Sequence, residues 1–134
     1  MSIRTLLAAS LLALAACASP PSNGAPERPL ARISHDVFFT FENPTDEECD
    51  ALVEACRRLE AVPGVVHLVA GRRDETQARE VNEQAYHVGL HVEFEDQAAY
   101  DGYGPHPVHM ALVDEFVPRM SAVVVYDTRI APPR

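Results

Sequence analysis

Hydrophobic and polar residues alternate with a period of two in two stretches of the chain, from Ile33 to Phe41 and from Tyr86 to Phe94. This period is typical of a strand with one buried face. An almost wholly apolar run from Val65 to Ala70 and a valine-rich run from Met120 to Tyr126 predict two more strands. Residues 71–83 are polar and charged without apolar periodicity, which indicates a loop.

Helical patterns separate these strands. Thr45 is a candidate N-cap, and Glu48 completes a capping box three residues later. Apolar residues continue with helical spacing until the turn at Pro63, and further helical stretches are predicted over 96–103 and 107–115. The order β-α-β-β-α-β is the ferredoxin-like plan, so we expect an α+β fold in which helices cover one face of an antiparallel sheet.

The first sixteen residues have the pattern of an export signal. Arg4 supplies a positive charge, and the uncharged apolar segment after it is shorter than the roughly 20 residues of a membrane-spanning helix. Leu14-Ala15-Ala16-Cys17 resembles the lipobox of bacterial lipoproteins, in which the cysteine is acylated. We therefore expect a signal peptide at 1–16 and lipidation of Cys17, on an exported protein anchored in a membrane and facing the periplasm or the cell exterior. An ordinary secretory peptide cleaved after Ala15 and a buried N-terminal helix are the alternatives.

Composition divides the rest of the chain into a tether and one domain. Residues 17–31 are rich in proline, serine, glycine and alanine, which predicts a lipid-anchored tether without a core. Residues 32–130 form the predicted domain. The chain of 134 residues is 47% hydrophobic and 23% charged, values that are ordinary for a globular protein. Its net charge of −9 argues against nucleic-acid binding, because an acidic protein repels phosphates.

Two cysteines besides Cys17 fall in the first predicted helix. Cys49 and Cys56 are seven positions apart, which places their Cα atoms about 10 Å apart on a helix, too far for a disulfide. We therefore expect two buried thiols.

Short motifs follow one another through the predicted domain. The first strand contains His35-x-Val-Phe-Phe, Val62-Pro63-Gly64-Val65 follows the first helix, and Tyr103-Gly104-Pro105-His106-Pro107-Val108-His109 leads into the last helix. With the closing Val125-Tyr126-Asp127 they resemble the stress-responsive α/β-barrel (Dabb) family over most of the domain. The resemblance implies a homodimer, a dimeric α/β-barrel in which two four-stranded sheets pack face to face. The chain has His87 where many members carry an aspartate, so we do not expect His87 to have the role of that aspartate.

The resemblance also implies site residues. A plant member of the family is a polyketide cyclase that closes a ring without a cofactor, using a histidine as base and a tyrosine for orientation. By matching positions, the base corresponds to His109, the tyrosine to Tyr103 and the acid that supports the base to Asp127. An imidazole that titrates near neutrality suits proton abstraction beside a carbonyl group. We therefore expect no cofactor.

Other polar residues are assigned from their place in the pattern. His35 shares a strand face with Phe39, and we expect both, with His106, to line a ligand pocket. His106 has an alternative structural role, in which its ring bonds the backbone of the turn. A metal held by three histidines and Asp127 is a further alternative, but no recognised ligand spacing supports it, so we expect no metal.

His87 and His91 are four positions apart on a predicted strand. This spacing places both on the sheet face opposite the helices, where the resemblance implies the dimer interface.

Two functions from different classes remain open. The first is a dimeric stress-response module that binds a small apolar or carbonyl-containing molecule without turnover. The second is a cofactor-independent enzyme, cyclase-like or related, that transfers a proton on a carbonyl compound with His109 as base. The second requires a solvent-accessible cavity lined by His109 and Tyr103, with Asp127 within hydrogen-bond reach of the base. We favour the binding module.

Overall fold

The computed structural model describes residues 31–132; the predicted signal peptide and most of the predicted tether lie outside them. No helix in this range is long and apolar enough to span a membrane. The predicted β-α-β-β-α-β order is confirmed, with the second helical region divided into two helices. The elements are β1 (Ile33–Phe41), α1 (Asp46–Arg57), β2 (Val65–Arg72), β3 (Val88–Phe94), α2 (Gln97–Tyr103), α3 (Pro107–Phe116) and β4 (Met120–Arg129).

The strands form one antiparallel sheet in the order β2-β3-β1-β4. This is the ferredoxin-like fold that the sequence predicts. The side of the sheet that faces the helices is buried along β1 and β3, where Phe39 and Val92 pack with Leu52 and Phe116 of the helices, whereas Val123 and Val125 of β4 on the same side are exposed. We call the other side the open face; alternation along β1, β3 and β4 places on it Ser34, Asp36, Phe38, Thr40, His91, Glu93, Ala122, Val124 and Tyr126.

Helix α1 begins as the sequence predicts. The Thr45 side chain accepts a hydrogen bond from the Glu48 backbone N–H at 3.2 Å, and the Glu48 side chain accepts one from the Thr45 N–H at 3.1 Å. This capping box satisfies N–H groups that a helix start leaves free. Cys49 and Cys56 are free and buried, as predicted. Burial raises the pKa of Cys56 to about 12.

The third strand begins later than the sequence predicts, at Val88. His87 therefore lies in the preceding loop, where side chains do not alternate between the two faces of the sheet. Its Nδ1 accepts a hydrogen bond from the Phe41 backbone N–H at 3.1 Å, and its ring lies beside the buried Phe41 ring. The prediction that His87 points to the open face is wrong, whereas His91 does lie there, bonded to Asp36.

Strand β4 continues past the predicted end at Tyr126 to Arg129. It is an edge strand, paired only with β1. Val124 is 44% exposed and Tyr126 is 60% exposed on the open face. Within the part of the chain that the structure describes, apolar surface of β4 is therefore uncovered.

Candidate functional site

Side chains from β1, α2 and α3 surround a cavity of about 370 Å³. Pro107 occupies the first turn of α3, where its fixed φ suits a helix start. This start places His109 in the first turn, beside the end of α2. We call this space the imidazole cavity; its lining residues are His35, Tyr100, Asp101, Tyr103, Gly104 and His109.

Asp127 is bonded to His35 rather than to His109. The pairing of β1 with β4 places His35 directly opposite Asp127, and opposite residues on antiparallel strands share a face. The Nδ1 of His35 lies 2.7 Å from the Oδ1 of Asp127, and the Tyr100 hydroxyl donates a hydrogen bond to the Oδ2 at 3.0 Å. The prediction that Asp127 supports His109 is therefore corrected. Because a carboxylate only accepts, Nδ1 of His35 carries the proton, and Nε2 keeps the lone pair in the neutral ring.

His109 is held by the backbone. Its Nδ1 donates a hydrogen bond to the Gly104 carbonyl oxygen at 2.8 Å, so the neutral ring keeps its lone pair on Nε2. Burial lowers the pKa of His109, and a positive charge on His35 lowers it as well, although the bond to Gly104 acts in the opposite direction. His109 is therefore neutral at pH 7 and serves as an acceptor or a base.

Tyr103 lies between the two imidazoles and is only 3% exposed. Its ring centroid is 4.6 Å from that of His109, 5.0 Å from that of Phe94 and 5.7 Å from that of His35. Burial raises the pKa of Tyr103, so the hydroxyl keeps its proton and is available as a donor. The structure thus brings Tyr103, His35 and His109 together, as the sequence predicts.

Two other predicted ligand residues lie outside the imidazole cavity. The Nδ1 of His106 accepts a hydrogen bond from the Val108 backbone N–H at 3.3 Å, so His106 is the N-cap of α3. Phe39 is in the core. The sequence reasoning missed Tyr100, which lines the cavity. Its position three residues before Tyr103 in a predicted helix was the available signal, because residues three apart share a helix face.

The hypothesis of a metal bound by His35, His106, His109 and Asp127 gains no support from the geometry. Between residues 31 and 132, no three histidine, cysteine, aspartate or glutamate side chains are arranged to hold a metal ion.

Comparisons with known proteins agree with this architecture. A family model described as the Stress responsive A/B Barrel Domain (Dabb) matches residues 33–130. No curated protein sequence matches the chain.

Solved structures share the fold. A Dabb family protein with a ferredoxin-like fold from Mesorhizobium loti is 32% identical, with 77% of this chain and 100% of that chain covered and a TM-score of 0.61. A dimeric ferredoxin-like protein of unknown function from Thermobifida fusca is 18% identical, with 75% and 92% covered and a TM-score of 0.63. A hydroxynitrile lyase from Passiflora edulis is 18% identical, with 78% and 97% covered and a TM-score of 0.65.

Proposed function

The chain belongs to the stress responsive A/B barrel (Dabb) domain family, and on that premise we propose that it is a homodimer whose imidazole cavity binds a small molecule. One observation carries this proposal. His35 and His109 each use Nδ1 within the protein, and among the described residues neither Nε2 has a hydrogen-bond partner. Both rings line the same cavity. Neither Nε2 is fully buried, so water can reach both atoms, and a ligand that enters the cavity can take the place of that water.

The chemistry of the cavity specifies a ligand class. The neutral ring of His109 offers an acceptor at Nε2, the Nε2 of His35 is a second hydrogen-bonding atom, and the Tyr103 hydroxyl offers a donor. A complementary ligand is a small neutral molecule with a hydroxyl or other acidic hydrogen near a carbonyl or hydroxyl oxygen. Aromatic rings of Tyr100 and Tyr103 supply apolar wall for the rest of the molecule.

The open face supports the dimer. Phe38 packs edge to face against Tyr86 at 4.9 Å and Tyr126 at 6.2 Å, which forms an aromatic cluster in which Phe38 and Tyr86 are half-buried and Tyr126 is exposed. The cluster borders an apolar cleft of about 290 Å³ that Val124 also lines. A second copy that packs on this face would cover the cleft, and dimeric relatives with the same fold favour this occupant.

The binding proposal is tested with a panel of phenols, hydroxy ketones and aromatic aldehydes, screened by saturation-transfer NMR and then by calorimetry. We expect binding to weaken about tenfold or more in Tyr103→Phe and His109→Ala, since an unpaired buried partner costs about 1–3 kcal/mol. His67→Ala is the matched control, because His67 does not line the cavity. Affinities that are equal in all four proteins would contradict the proposal.

A second candidate is proton transfer on a carbonyl compound. The specific observation is the bond of 2.7 Å between His35 and Asp127, because that carboxylate stabilises the imidazolium that forms when His35 takes a proton. The C–H bond breaks, its proton moves to Nε2, and its electrons pass to the carbonyl oxygen as an enolate beside the Tyr103 hydroxyl. On the ground of this bond we propose His35 rather than His109 as the base. The hydroxynitrile lyase with the same fold is an enzyme, which agrees with this candidate.

Hydrogen exchange distinguishes the enzyme from the binding module. A ketone probe that binds is incubated in D₂O, and deuterium incorporation beside its carbonyl group is followed by NMR. For the enzyme we expect His35→Ala to slow exchange about 10²-fold or more, and to slow it more than His109→Ala does. Exchange at the uncatalysed rate in the unmodified protein would leave binding as the function.

We also propose that the protein is an exported lipoprotein. The lipobox-like segment that ends at Cys17 and the proline-rich segment 17–31 support this location. Intact-mass measurement of the membrane-bound protein tests it, with an acylated chain that begins at Cys17 as the expected result. A chain that keeps residues 1–16, or an unmodified Cys17, would contradict it.

A further inference from the structure

The two oxygens of the Asp127 carboxylate are divided between two partners. Oδ1 accepts from His35 at 2.7 Å, and Oδ2 accepts from the Tyr100 hydroxyl at 3.0 Å. The three residues come from β1, α2 and β4, which are distant along the chain. The Tyr100 bond was not part of the site expected from the sequence.

Asp127 needs such a partner because of its position. It lies on the edge strand β4, and its side chain is 45% exposed. The terminal torsion of an aspartate has a broad energy minimum, so an exposed carboxylate turns easily between its protein partner and water. One hydrogen bond to His35 does not by itself fix both oxygens.

Tyr100 is better held than Asp127. Its ring packs edge to face on Phe94 at 5.5 Å and on His35 at 5.9 Å. Burial raises the pKa of Tyr100, and the bond to Asp127 raises it further, so the hydroxyl keeps its proton and remains a donor at physiological pH.

We propose that Tyr100 is a positioning residue, which holds the Asp127 carboxylate so that Oδ1 fixes the Nδ1–H tautomer of His35 and keeps the Nε2 lone pair available to the imidazole cavity. The consequence for ligands rests on the proposed function. The positioning itself is a property of the protein without ligand.

Tyr100 lines the imidazole cavity, so the variant that tests its role must keep the aromatic ring. Tyr100 and Asp127 also line a neighbouring cavity of about 300 Å³, together with Gln97 and Arg129. Tyr100→Ala would remove the wall between the two cavities and confuse the result. Tyr100→Phe keeps the ring and removes only the hydroxyl that donates to Asp127.

The test is NMR on the full-length protein in detergent, labelled with ¹⁵N in its histidine rings and recorded without ligand at a pH where His35 is neutral. The ring nitrogen shifts give the ratio of the Nδ1–H to the Nε2–H tautomer. In the unmodified protein we expect Nδ1–H to dominate at His35. In Tyr100→Phe we expect the ratio to fall about fivefold or more, since one hydrogen bond is worth about 1 kcal/mol.

Controls separate positioning from damage to the fold. Asp127→Ala, which removes the acceptor, is expected to lower the His35 ratio at least as far as Tyr100→Phe does. Tyr126→Phe removes a hydroxyl on the open face and is expected to change nothing at His35. His109 is the internal reference, because the Gly104 carbonyl should hold its Nδ1–H tautomer in every variant that folds.

Two results would overturn the inference. One is a His35 ratio that stays unchanged in Tyr100→Phe while Asp127→Ala lowers it. The other is an unmodified protein without a dominant Nδ1–H tautomer at His35. Neither depends on ligand binding, so failure of the proposed function would leave the inference standing, and failure of the inference would leave ligand binding open.

Discussion

At the scale of single residues, His91 on the open face is held between two carboxylates. Its Nδ1 lies 2.7 Å from Asp36 and its Nε2 lies 3.3 Å from Glu93. Because each carboxylate only accepts, this arrangement suits the imidazolium, in which both nitrogens carry a proton. Burial lowers the pKa of His91, but the bonds to Asp36 and Glu93 and their charges outweigh it, so the pKa is raised above its ordinary value.

This raised pKa predicts a pH-dependent contribution to stability. A group whose pKa is higher in the folded state stabilises fully below its unfolded pKa of 6.5, and this contribution is lost as the pH rises through the folded value. We expect His91→Gln to lower the free energy of unfolding more at pH 5.5 than at pH 9, measured by urea denaturation at one protein concentration.

Asp36→Asn is the companion variant, because it removes the carboxylate that lies closer to His91. In that background, His91→Gln should lower the free energy of unfolding by more similar amounts at pH 5.5 and pH 9. An equal loss in His91→Gln at both pH values would contradict the assignment of His91 as an imidazolium.

The residues of the site were only partly predictable from the sequence. The motif around Tyr103 and His109 identified both residues because they are close in the chain. The bond between His35 and Asp127 joins residues 92 positions apart and depends on the register of β1 with β4. No local pattern contains that register, so Asp127 was assigned to the wrong imidazole.

At the scale of elements, the turn before β2 is fixed by Gly64. It has a φ of +82°, a region that favours glycine. Its carbonyl oxygen accepts a hydrogen bond from the Glu95 backbone N–H at 3.0 Å, just before α2. A Cβ on Gly64 would lie 2.2 Å from the Cβ of Ala99 in α2. The turn and the helix that carries Tyr100 and Tyr103 are therefore packed without space between them.

We predict that Gly64→Ala lowers the free energy of unfolding by at least about 2 kcal/mol, because left-handed strain costs about 1–2 kcal/mol and overpacking about 1–3 kcal/mol. Chemical denaturation measures the change. Gly102→Ala in α2 is the control, since a Cβ there meets nothing within 4 Å; it should be neutral or stabilise the helix by up to about 1 kcal/mol. A Gly64→Ala protein as stable as the unmodified one would contradict this account of the turn.

Element order was predictable because each helix and strand has its own period and stop signals. The start of β3 and the end of β4 were not predictable from the sequence. The alternation that includes Tyr86 and His87 continues into a loop, where the chain no longer follows strand geometry. Strand β4 extends to Arg129 because Asp127 and Arg129 pair with His35 and Ile33 of β1. The partner strand, rather than the local pattern, sets that length.

At the scale of the whole molecule, residues 31–132 leave apolar surface on the open face of the sheet uncovered. The helices cover β1 and β3 on one face of the sheet, while Val124 and Tyr126 of the edge strand β4 remain exposed on the other. An edge strand with exposed apolar residues is a liability that proteins normally cover. A second copy on the open face would remove this surface and leave the imidazole cavity, on the helix side, free for a ligand in each protomer.

The central claim is a dimer with one ligand cavity per protomer, and native mass spectrometry of the detergent-solubilised protein tests it most directly. We predict a dimer at micromolar concentration that gains up to two molecules of a ligand found in the binding screen. We predict that the Tyr103→Phe protein is also a dimer and that it binds fewer ligand molecules at the same ligand concentration. A monomer, or a dimer whose ligand occupancy is the same with and without the Tyr103 hydroxyl, would contradict the claim.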